Sequence, residues 1–295
     1  MGRTALGLLL VFALAATMAT AQELWSASPV DVELVIAVDV SASMDREEFR
    51  VQRQGFVEAI RHPEFVRAIS NLPRQRIALT YIEWSSSTLQ KVVVPFSEID
   101  GQDSAEAFAA ALEASPIKRG QGTSISGAIE FGANLLSWNR FEGDRRVIDI
   151  SGDGFNLSGP PVVVARDRAV ARGVVINGLP IIVRPSRGPP DLEQYYADCV
   201  IGGPGSFMLP VRETEEFAEA VRQKLIREVA GLPQATIAPV SATTPVDCLI
   251  GEKTIASIKS RMFRDRGATR DSLERWYRLR REMRGMPARD PDRWY

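Results

Sequence analysis

Residues 33–43 read Glu-Leu-Val-Ile-Ala-Val-Asp-Val-Ser-Ala-Ser, and this stretch decides the fold. Its first part is a nearly continuous apolar run rich in β-branched side chains, which is typical of a strand buried on both faces of a sheet. The run leads directly into an Asp-x-Ser-x-Ser pattern formed by Asp39, Ser41 and Ser43. Spacing by two residues keeps these three oxygen-bearing side chains on one side of an extended segment. The stretch therefore predicts a buried strand that ends in a cluster of oxygen donors.

The rest of the chain alternates between strand and helix patterns. A short polar link joins two predicted strands, 76–84 and 90–96, which indicates an antiparallel hairpin. Further strand patterns lie at 146–151, 174–183 and 206–211, and helical patterns lie at 45–60, 104–114, 124–138, 162–172 and 214–229. Strands separated by helices predict an α/β fold, here a Rossmann-like, doubly wound sheet with helices on both faces. The sheet is expected to be mostly parallel, with one antiparallel hairpin strand.

Composition and charge exclude several classes of protein. The chain has 295 residues, and its 36 Lys and Arg nearly balance 37 Asp and Glu, which leaves a net charge of −1. This balance argues against a general nucleic-acid binder, so no nucleic-acid partner is expected. The single histidine is His62. Zinc enzymes and Ser-His-Asp hydrolases are therefore disfavoured, because both need imidazole as a ligand or base.

The N-terminus has the pattern of a processing signal. Arg3 precedes an apolar run over residues 5–16, and Ala19-Thr20-Ala21 is a small-x-small cleavage pattern. The run is too short to span a bilayer comfortably, so residues 1–21 are interpreted as a cleaved secretory signal rather than an anchor. The mature protein is expected to be exported, either to a periplasm or to the outside of the cell.

Export changes the meaning of the two cysteines, Cys199 and Cys248. An exported compartment allows them to pair, although two buried free thiols are the alternative, because sequence cannot place their Cα atoms. A bridge would close a loop of about 50 residues, which the chain-entropy model values at about 4 kcal/mol.

Two further oxygen-rich turns can reach the edge at which the first strand ends. Thr123 lies in the turn Gly120-Gln121-Gly122-Thr123-Ser124, just before a predicted helix. Asp153 lies between two glycines at the end of the strand 146–151. An open α/β sheet binds its ligands at the carboxyl ends of its strands. All the donors are hard oxygens, which suits Mg²⁺, with Mn²⁺ and Ca²⁺ as alternatives.

This constellation resembles the metal-ion-dependent adhesion site of von Willebrand factor A domains. Its five positions are matched in order by Asp39, Ser41, Ser43, Thr123 and Asp153. The likeness covers about residues 32–230. Several segments also resemble a bacterial exported subfamily of unknown function, namely 81–85, 122–129, 147–154, 176–181 and 195–205.

The resemblance implies a protein-binding function. In the family the hydroxyl groups approach the metal directly or through water, while one or both aspartates act one layer further out. A cation surrounded by few anions is under-neutralised, and its open coordination position attracts a carboxylate from another molecule. The expected partner is thus a protein that offers an acidic side chain, and no enzymatic activity is expected.

Alternatives remain open at this stage. Asp39, Ser41 and Ser43 could cap a helix without metal, and Asp149 could replace Asp153 as the fifth ligand or answer a buried hydrogen bond. At the level of function, the alternatives are a structural or scaffold domain with an incidental metal site, and a Mg²⁺-dependent hydrolase. The hydrolase lacks an evident general base or second metal cluster.

The C-terminal part differs in composition from the rest. The predicted domain covers residues 32–231, and residues 232–250, rich in Pro, Ala, Thr and Ser, are interpreted as a linker. Residues 251–295 form a basic tail with 13 basic and 7 acidic residues and a partly helical pattern. Such a segment could make weak, salt-sensitive contacts with a membrane surface or an acidic partner, while a solvated extension is the plainer interpretation.

Overall fold

The computed structural model describes residues 27–42, 46–183, 191–231 and 246–264, together with 274–275 and 278–279. Ser43 lies outside the described residues, as do the expected signal peptide, residues 232–245 of the predicted linker and most of the basic tail.

Five strands form one sheet in the order β3-β2-β1-β4-β5. The strands are β1 (Ser28–Asp39), β2 (Ile77–Trp84), β3 (Gln90–Ile99), β4 (Phe141–Gly152) and β5 (Val174–Pro180). All neighbouring pairs are parallel except β2 and β3, which form the antiparallel hairpin. The predicted fold class is therefore confirmed. Because parallel strands end at the same edge, the last residues of β1 and β4, Asp39 and Gly152, meet there.

Helices cover both faces of the sheet. In the described residues they are α1 (Arg46–Arg61), α2 (Pro63–Ser70), α3 (Gln102–Ala114), α4 (Ile125–Leu135), α5 (Val162–Ala171), α6 (Leu192–Tyr195), α7 (Phe217–Ala230) and α8 (Ile250–Arg264). A π-helical turn, Tyr196–Val200, continues α6. None of the helices in this part of the chain is long and apolar enough to cross a membrane.

The apolar residues of β1 explain the two-sided arrangement. Leu34 and Ile36 point into a core shared with α1, α2, α3 and α7, while Val35 and Ala37 point into a second core shared with α4, α5 and the π-helical turn. All four side chains are fully buried. A strand covered on both faces needs apolar residues at consecutive positions, which accounts for the continuous run in the sequence.

The predicted strand at 206–211 does not form as a regular strand. Met208 and Val211 make only isolated bridges, to Gly178 and Ile181. Pro180 of β5 faces this segment between the two bridges and has no backbone N–H to donate, which interrupts the ladder that the apolar pattern suggested.

Candidate metal centre

The carboxyl end of β1 places Asp39 and Ser41 in the interior. Asp39 is completely buried and Ser41 nearly so. The Oδ1 atom of Asp39 accepts a 2.7 Å hydrogen bond from the backbone N–H of Ser41. Ser41 also bridges Gly120, whose N–H donates to the carbonyl of Val40 at 2.9 Å. The Asp-x-Ser segment is therefore fixed against the turn that carries Thr123.

The Thr123 turn is held by the neighbouring hairpin and by the start of α4. Gly120 must be glycine, because a Cβ there would overlap the side chain of Ser85. The backbone N–H of Ser124 donates to the Ser85 carbonyl at 2.6 Å. The hydroxyl of Ser124 caps α4 by accepting from the N–H of Gly127. Thr123, immediately before this cap, is fully buried.

Asp153 lies between the other two segments. A Cβ on Gly152 would lie 3.3 Å from Oδ2 of Asp39, and a Cβ on Gly154 would lie 4.0 Å from Oγ1 of Thr123. The backbone N–H of Leu157 donates to the Thr123 carbonyl at 2.9 Å, which ties this loop to the Thr123 turn. The residues flanking Asp153 thus contact the two other segments, and Asp153 itself is only partly buried.

The structure brings four of the five expected ligands to one edge of the sheet, and the fifth, Ser43, lies outside the described residues. The described donors are hydroxyl and carboxylate oxygens, a set that fits a hard divalent cation. No group of three or more His, Cys, Asp or Glu suited to a metal occurs in the described part of the chain. That the expected ligands bind a metal stays a prediction.

Tyr196 lies next to the site, and no sequence motif marks this residue as functional. The side chain is fully buried, and its hydroxyl donates to the carbonyl of Gly152 at 3.3 Å. Burial raises the pKa of the Tyr196 phenol well above its ordinary value, and the nearby carboxylates of Asp39 and Asp153 raise it further. The sequence signal was limited to a pair of adjacent tyrosines, which gives no indication of what either hydroxyl contacts.

Asn156 connects the Asp153 loop to three other elements. Its Oδ1 atom accepts from the N–H of Ser126 in α4 at 3.1 Å, and its own N–H donates to the hydroxyl of Tyr195 at 3.2 Å. Its Nδ2 atom donates to Oε1 of Glu252 in α8 at 2.7 Å. A Cβ on Gly251 would overlap the Asn156 carbonyl, so α8 packs directly on this loop. The division at residue 231 stays a prediction, but the start of α8 contacts the loop that bears Asp153.

A buried ion pair holds the segment that leads into the Thr123 turn. Arg53 of α1 pairs with Glu83 at the end of β2, and both side chains are at least nine-tenths buried. Arg53 also donates to the carbonyls of Leu112 and Ser115, at 2.7 and 3.0 Å. Burial raises the pKa of Glu83, while the charge of Arg53 opposes that rise. These contacts anchor the end of α3, from which the chain continues to Gly120.

Asp149, an alternative fifth ligand from sequence, instead contacts Lys224 of α7. The Lys224 Nζ atom lies 2.6 Å from Oδ1 of Asp149 and also bonds to Glu228. All three side chains are almost fully buried. Burial raises the pKa of Asp149 and raises that of Glu228 to about 7, while Lys224 lowers both. Asp149 therefore belongs to an ionic cluster that joins β4 to α7.

Cys199 and Cys248 form a disulfide with a Cα–Cα distance of 5.5 Å. The bond joins the π-helical turn to the segment that precedes α8. The backbone N–H of Val246 donates to Oδ2 of Asp198 at 3.0 Å and adds a second link at the same place.

Solved structures with the same fold come from several sources. Proximal thread matrix protein 1 from the mussel byssus, with a zinc-occupied MIDAS motif, is 14% identical with a TM-score of 0.54; the match covers 69% of this chain and 49% of that one. The pilus adhesin SpaC from Lactobacillus rhamnosus GG is 14% identical with a TM-score of 0.51, over 69% of this chain and 31% of that one. A von Willebrand factor type A structure from Catenulispora acidiphila is 14% identical with a TM-score of 0.48, over 68% and 43%.

These similarities concern the fold alone, because the identities are low. The chain spans about half the length of the mussel protein and about a third of SpaC. No curated protein matches the chain. The family model described as "Protein of unknown function (DUF1194)" matches residues 29–233, which is more than half of the chain. The protein is accordingly a member of the DUF1194 family and has the fold of a von Willebrand factor A domain.

Proposed function

We propose that this protein is an exported, metal-dependent protein-binding module. A divalent cation would be held by Asp39, Ser41, Ser43, Thr123 and Asp153. The observation that carries the proposal is the position of the Gly152-Asp153-Gly154 turn. A Cβ on Gly152 would lie 3.3 Å from Oδ2 of Asp39, and a Cβ on Gly154 would lie 4.0 Å from Oγ1 of Thr123. Three separate loops thereby bring hydroxyl and carboxylate oxygens to one place.

The chemistry of these donors suits Mg²⁺, and it is also compatible with Mn²⁺ and Ca²⁺. Three of the five donors are neutral hydroxyls, and where one or both aspartates act through water the ligands that touch the dication carry little negative charge. A bound cation would supply an open, under-neutralised coordination position at the surface of the domain. The partial exposure of Asp153 supports an opening to solvent on that side.

A carboxylate is the strongest ligand that a partner protein can offer to such a position. The adhesin and matrix proteins that share the fold support a binding role. We therefore infer that the partner presents an Asp or Glu side chain. We propose binding rather than turnover as the function of this site.

Export is supported by the N-terminal signal pattern and by the disulfide. Disulfides persist mainly in oxidising compartments, which include the periplasm and the cell exterior. The Cys199–Cys248 bond is consistent with either location.

Metal titration tests the site. Ligands from three loops couple cation binding to the folded state, so Mg²⁺ at 100 times its dissociation constant should add about 2.7 kcal/mol of stability. For a protein of this size, each kcal/mol raises the melting temperature by about 2–4 °C. Asp39→Ala should abolish that shift, and Asp39→Asn should do the same while keeping the Oδ1 acceptor for the N–H of Ser41. Asp167→Ala is the control, because it removes an exposed carboxylate of α5.

If Mg²⁺ and Mn²⁺ shift the melting temperatures of Asp39→Ala and Asp39→Asn as much as that of wild type, the site is refuted. Partner capture is tested by affinity isolation from envelope extract, with and without EDTA. We expect EDTA and Asp39→Ala to release the same protein. A partner retained in both conditions would show that binding does not use the cation.

A further inference from the structure

The π-helical turn at Tyr196–Val200 places one large polar side chain inside the domain, beside the candidate metal centre. Turns of this type are rare and occur often at functional sites. Tyr196 begins the turn and is fully buried between α6 and the sheet. The reason for its position is found in the strands beneath it.

Two glycines on adjacent strands make room for the tyrosine. A Cβ on Gly178 of β5 would lie 2.8 Å from Cδ1 of the Tyr196 ring. A Cβ on Gly152 of β4 would lie 3.0 Å from the hydroxyl. Both distances are shorter than ordinary van der Waals contact, so a side chain at either position would displace the tyrosine. The two glycines therefore leave a slot in the sheet. The Tyr196 ring lies in this slot, and the Tyr196 hydroxyl lies at its end.

The end of the slot coincides with the metal centre. The Cβ position of Gly152 is 3.0 Å from the Tyr196 hydroxyl, and the same position is 3.3 Å from Oδ2 of Asp39. The same hydroxyl bonds to the carbonyl of Gly152, and the next residue is Asp153. A phenol is a donor at neutral pH and also has acceptor capacity. It is thus in reach of the backbone that orients one expected aspartate and lies close to the side chain of the other.

The turn that carries Tyr196 is firmly held. Its Cys199 is bonded to Cys248, and the Asp198 carbonyl accepts from Arg166 at 2.8 Å. The N–H of Ile201 closes the turn on the Tyr196 carbonyl at 3.0 Å. Because the turn is held in place, the Tyr196 hydroxyl can keep the groups that it contacts in one arrangement.

We propose that Tyr196 is a positioning residue of the metal centre, whose hydroxyl holds the Gly152 backbone beside Asp39 and thereby orients Asp153 for the cation. The inference rests on the proposed function, since it concerns the same site. Hydrogen-bonding partners behind metal ligands typically contribute about 10–100-fold to metal affinity. We therefore expect Tyr196→Phe, which keeps the ring in its slot, to weaken Mg²⁺ and Mn²⁺ binding by at least about tenfold.

Tyr195 offers a matched control in the same segment. Its hydroxyl is also buried, but it accepts from the N–H of Asn156 and does not contact Gly152. Tyr195→Phe removes a phenol hydroxyl and leaves that N–H without its partner. Because Asn156 belongs to the Asp153 loop but lies three residues beyond Asp153, we expect this variant to lower the melting temperature of the metal-free protein while its affinity for Mg²⁺ falls clearly less than that of Tyr196→Phe.

The experiment uses the full chain and three readouts: calorimetric titration with Mg²⁺ and Mn²⁺, the melting temperature without metal, and the EPR line shape of bound Mn²⁺. Tyr196→Phe should lose affinity and change the EPR line shape, with a melting temperature no lower than that of Tyr195→Phe. The proposal is overturned if Tyr196→Phe binds like wild type, or if both variants lose affinity in proportion to their loss of stability. A wild type that binds neither cation refutes the metal site itself, and this role of Tyr196 with it.

Discussion

Replacing Lys224 by methionine would remove the one ammonium that separates two buried carboxylates. The Nζ atom lies 2.6 Å from Asp149 and bonds to Glu228, and the side chain is 1% exposed. Methionine has a similar length and flexibility and fills irregular interior space, so the change mainly removes charge. Breaking a buried ion pair by removing one partner costs about 3–5 kcal/mol. That is a large fraction of the roughly 5–15 kcal/mol that stabilises a typical domain.

The loss should depend on pH. Burial already raises the pKa of Asp149, and it raises that of Glu228 from 4.5 to about 7, with Lys224 as the main opposing influence. Without Lys224 both pKa values rise further, although the charge of Arg145 also reaches Glu228. The folded variant then binds more protons than the unfolded chain, so its stability increases as the pH falls. Relative to wild type, we expect Lys224→Met to show its full loss of stability at pH 8 and a clearly smaller loss at pH 5.

Urea unfolding of wild type and Lys224→Met at pH 5, 6.5 and 8 measures this effect. Glu228→Gln is the control, because it keeps an oxygen acceptor for Lys224 and for the amide of Asn177 without an ionisable group. In wild type, the stability contributed by protonated Glu228 is present below pH 4.5 and is lost as the pH rises to about 7. Glu228→Gln should lack that slope. An equal loss for Lys224→Met at pH 5 and pH 8 would refute the electrostatic reasoning and indicate a packing defect.

Two further variants test features close to the site. In Gly152→Ala the new Cβ would lie 3.0 Å from the Tyr196 hydroxyl and 3.3 Å from Asp39. Calorimetry should therefore find Mg²⁺ affinity reduced by about tenfold or more, whereas Gly101→Ala, with no atom within 4 Å of the new Cβ, should bind like wild type. Cys248→Ser removes a bridge between residues 49 apart, so non-reducing thermal unfolding should find a loss of about 4 kcal/mol. An unchanged melting temperature, or two freely alkylated thiols in the wild type, would contradict this.

Local sequence patterns were sufficient to predict the frame of the domain. The apolar run of β1 predicted a strand buried on both faces, and the structure extends it to Ser28–Asp39. The short polar link after Trp84 predicted the antiparallel hairpin. These predictions were confirmed because each depends on periodicity and turn composition within a few residues. The position of Asp39 at the edge where β4 ends follows from the same logic, since the carboxyl ends of parallel strands share an edge.

Contacts between distant parts of the chain could not be predicted in this way. Lys224 belongs to a helix with an ordinary amphipathic pattern, and only the packing of α7 on β4 reveals Asp149 as its partner. Tyr196 lies beside the candidate metal centre because Gly152 and Gly178, on separate strands, leave space for it. The strand pattern at 206–211 did not form a regular strand because Pro180, on the strand that it faces, lacks a donor that the ladder needs.

The disulfide also has a consequence for the order in which the molecule assembles. Cys248 follows Cys199 by 49 residues. In a chain that is made from its N-terminus, Cys199 therefore appears before the cysteine with which it pairs. By then all five strands and the π-helical turn have already appeared, and Tyr196 can enter its slot between Gly152 and Gly178. The bridge can therefore close only after the residues of these elements have been made. A chain that ended near residue 233, where the family model stops, would keep Cys199 as an unpaired thiol in the turn that carries Tyr196, where it could form a mixed disulfide with another molecule.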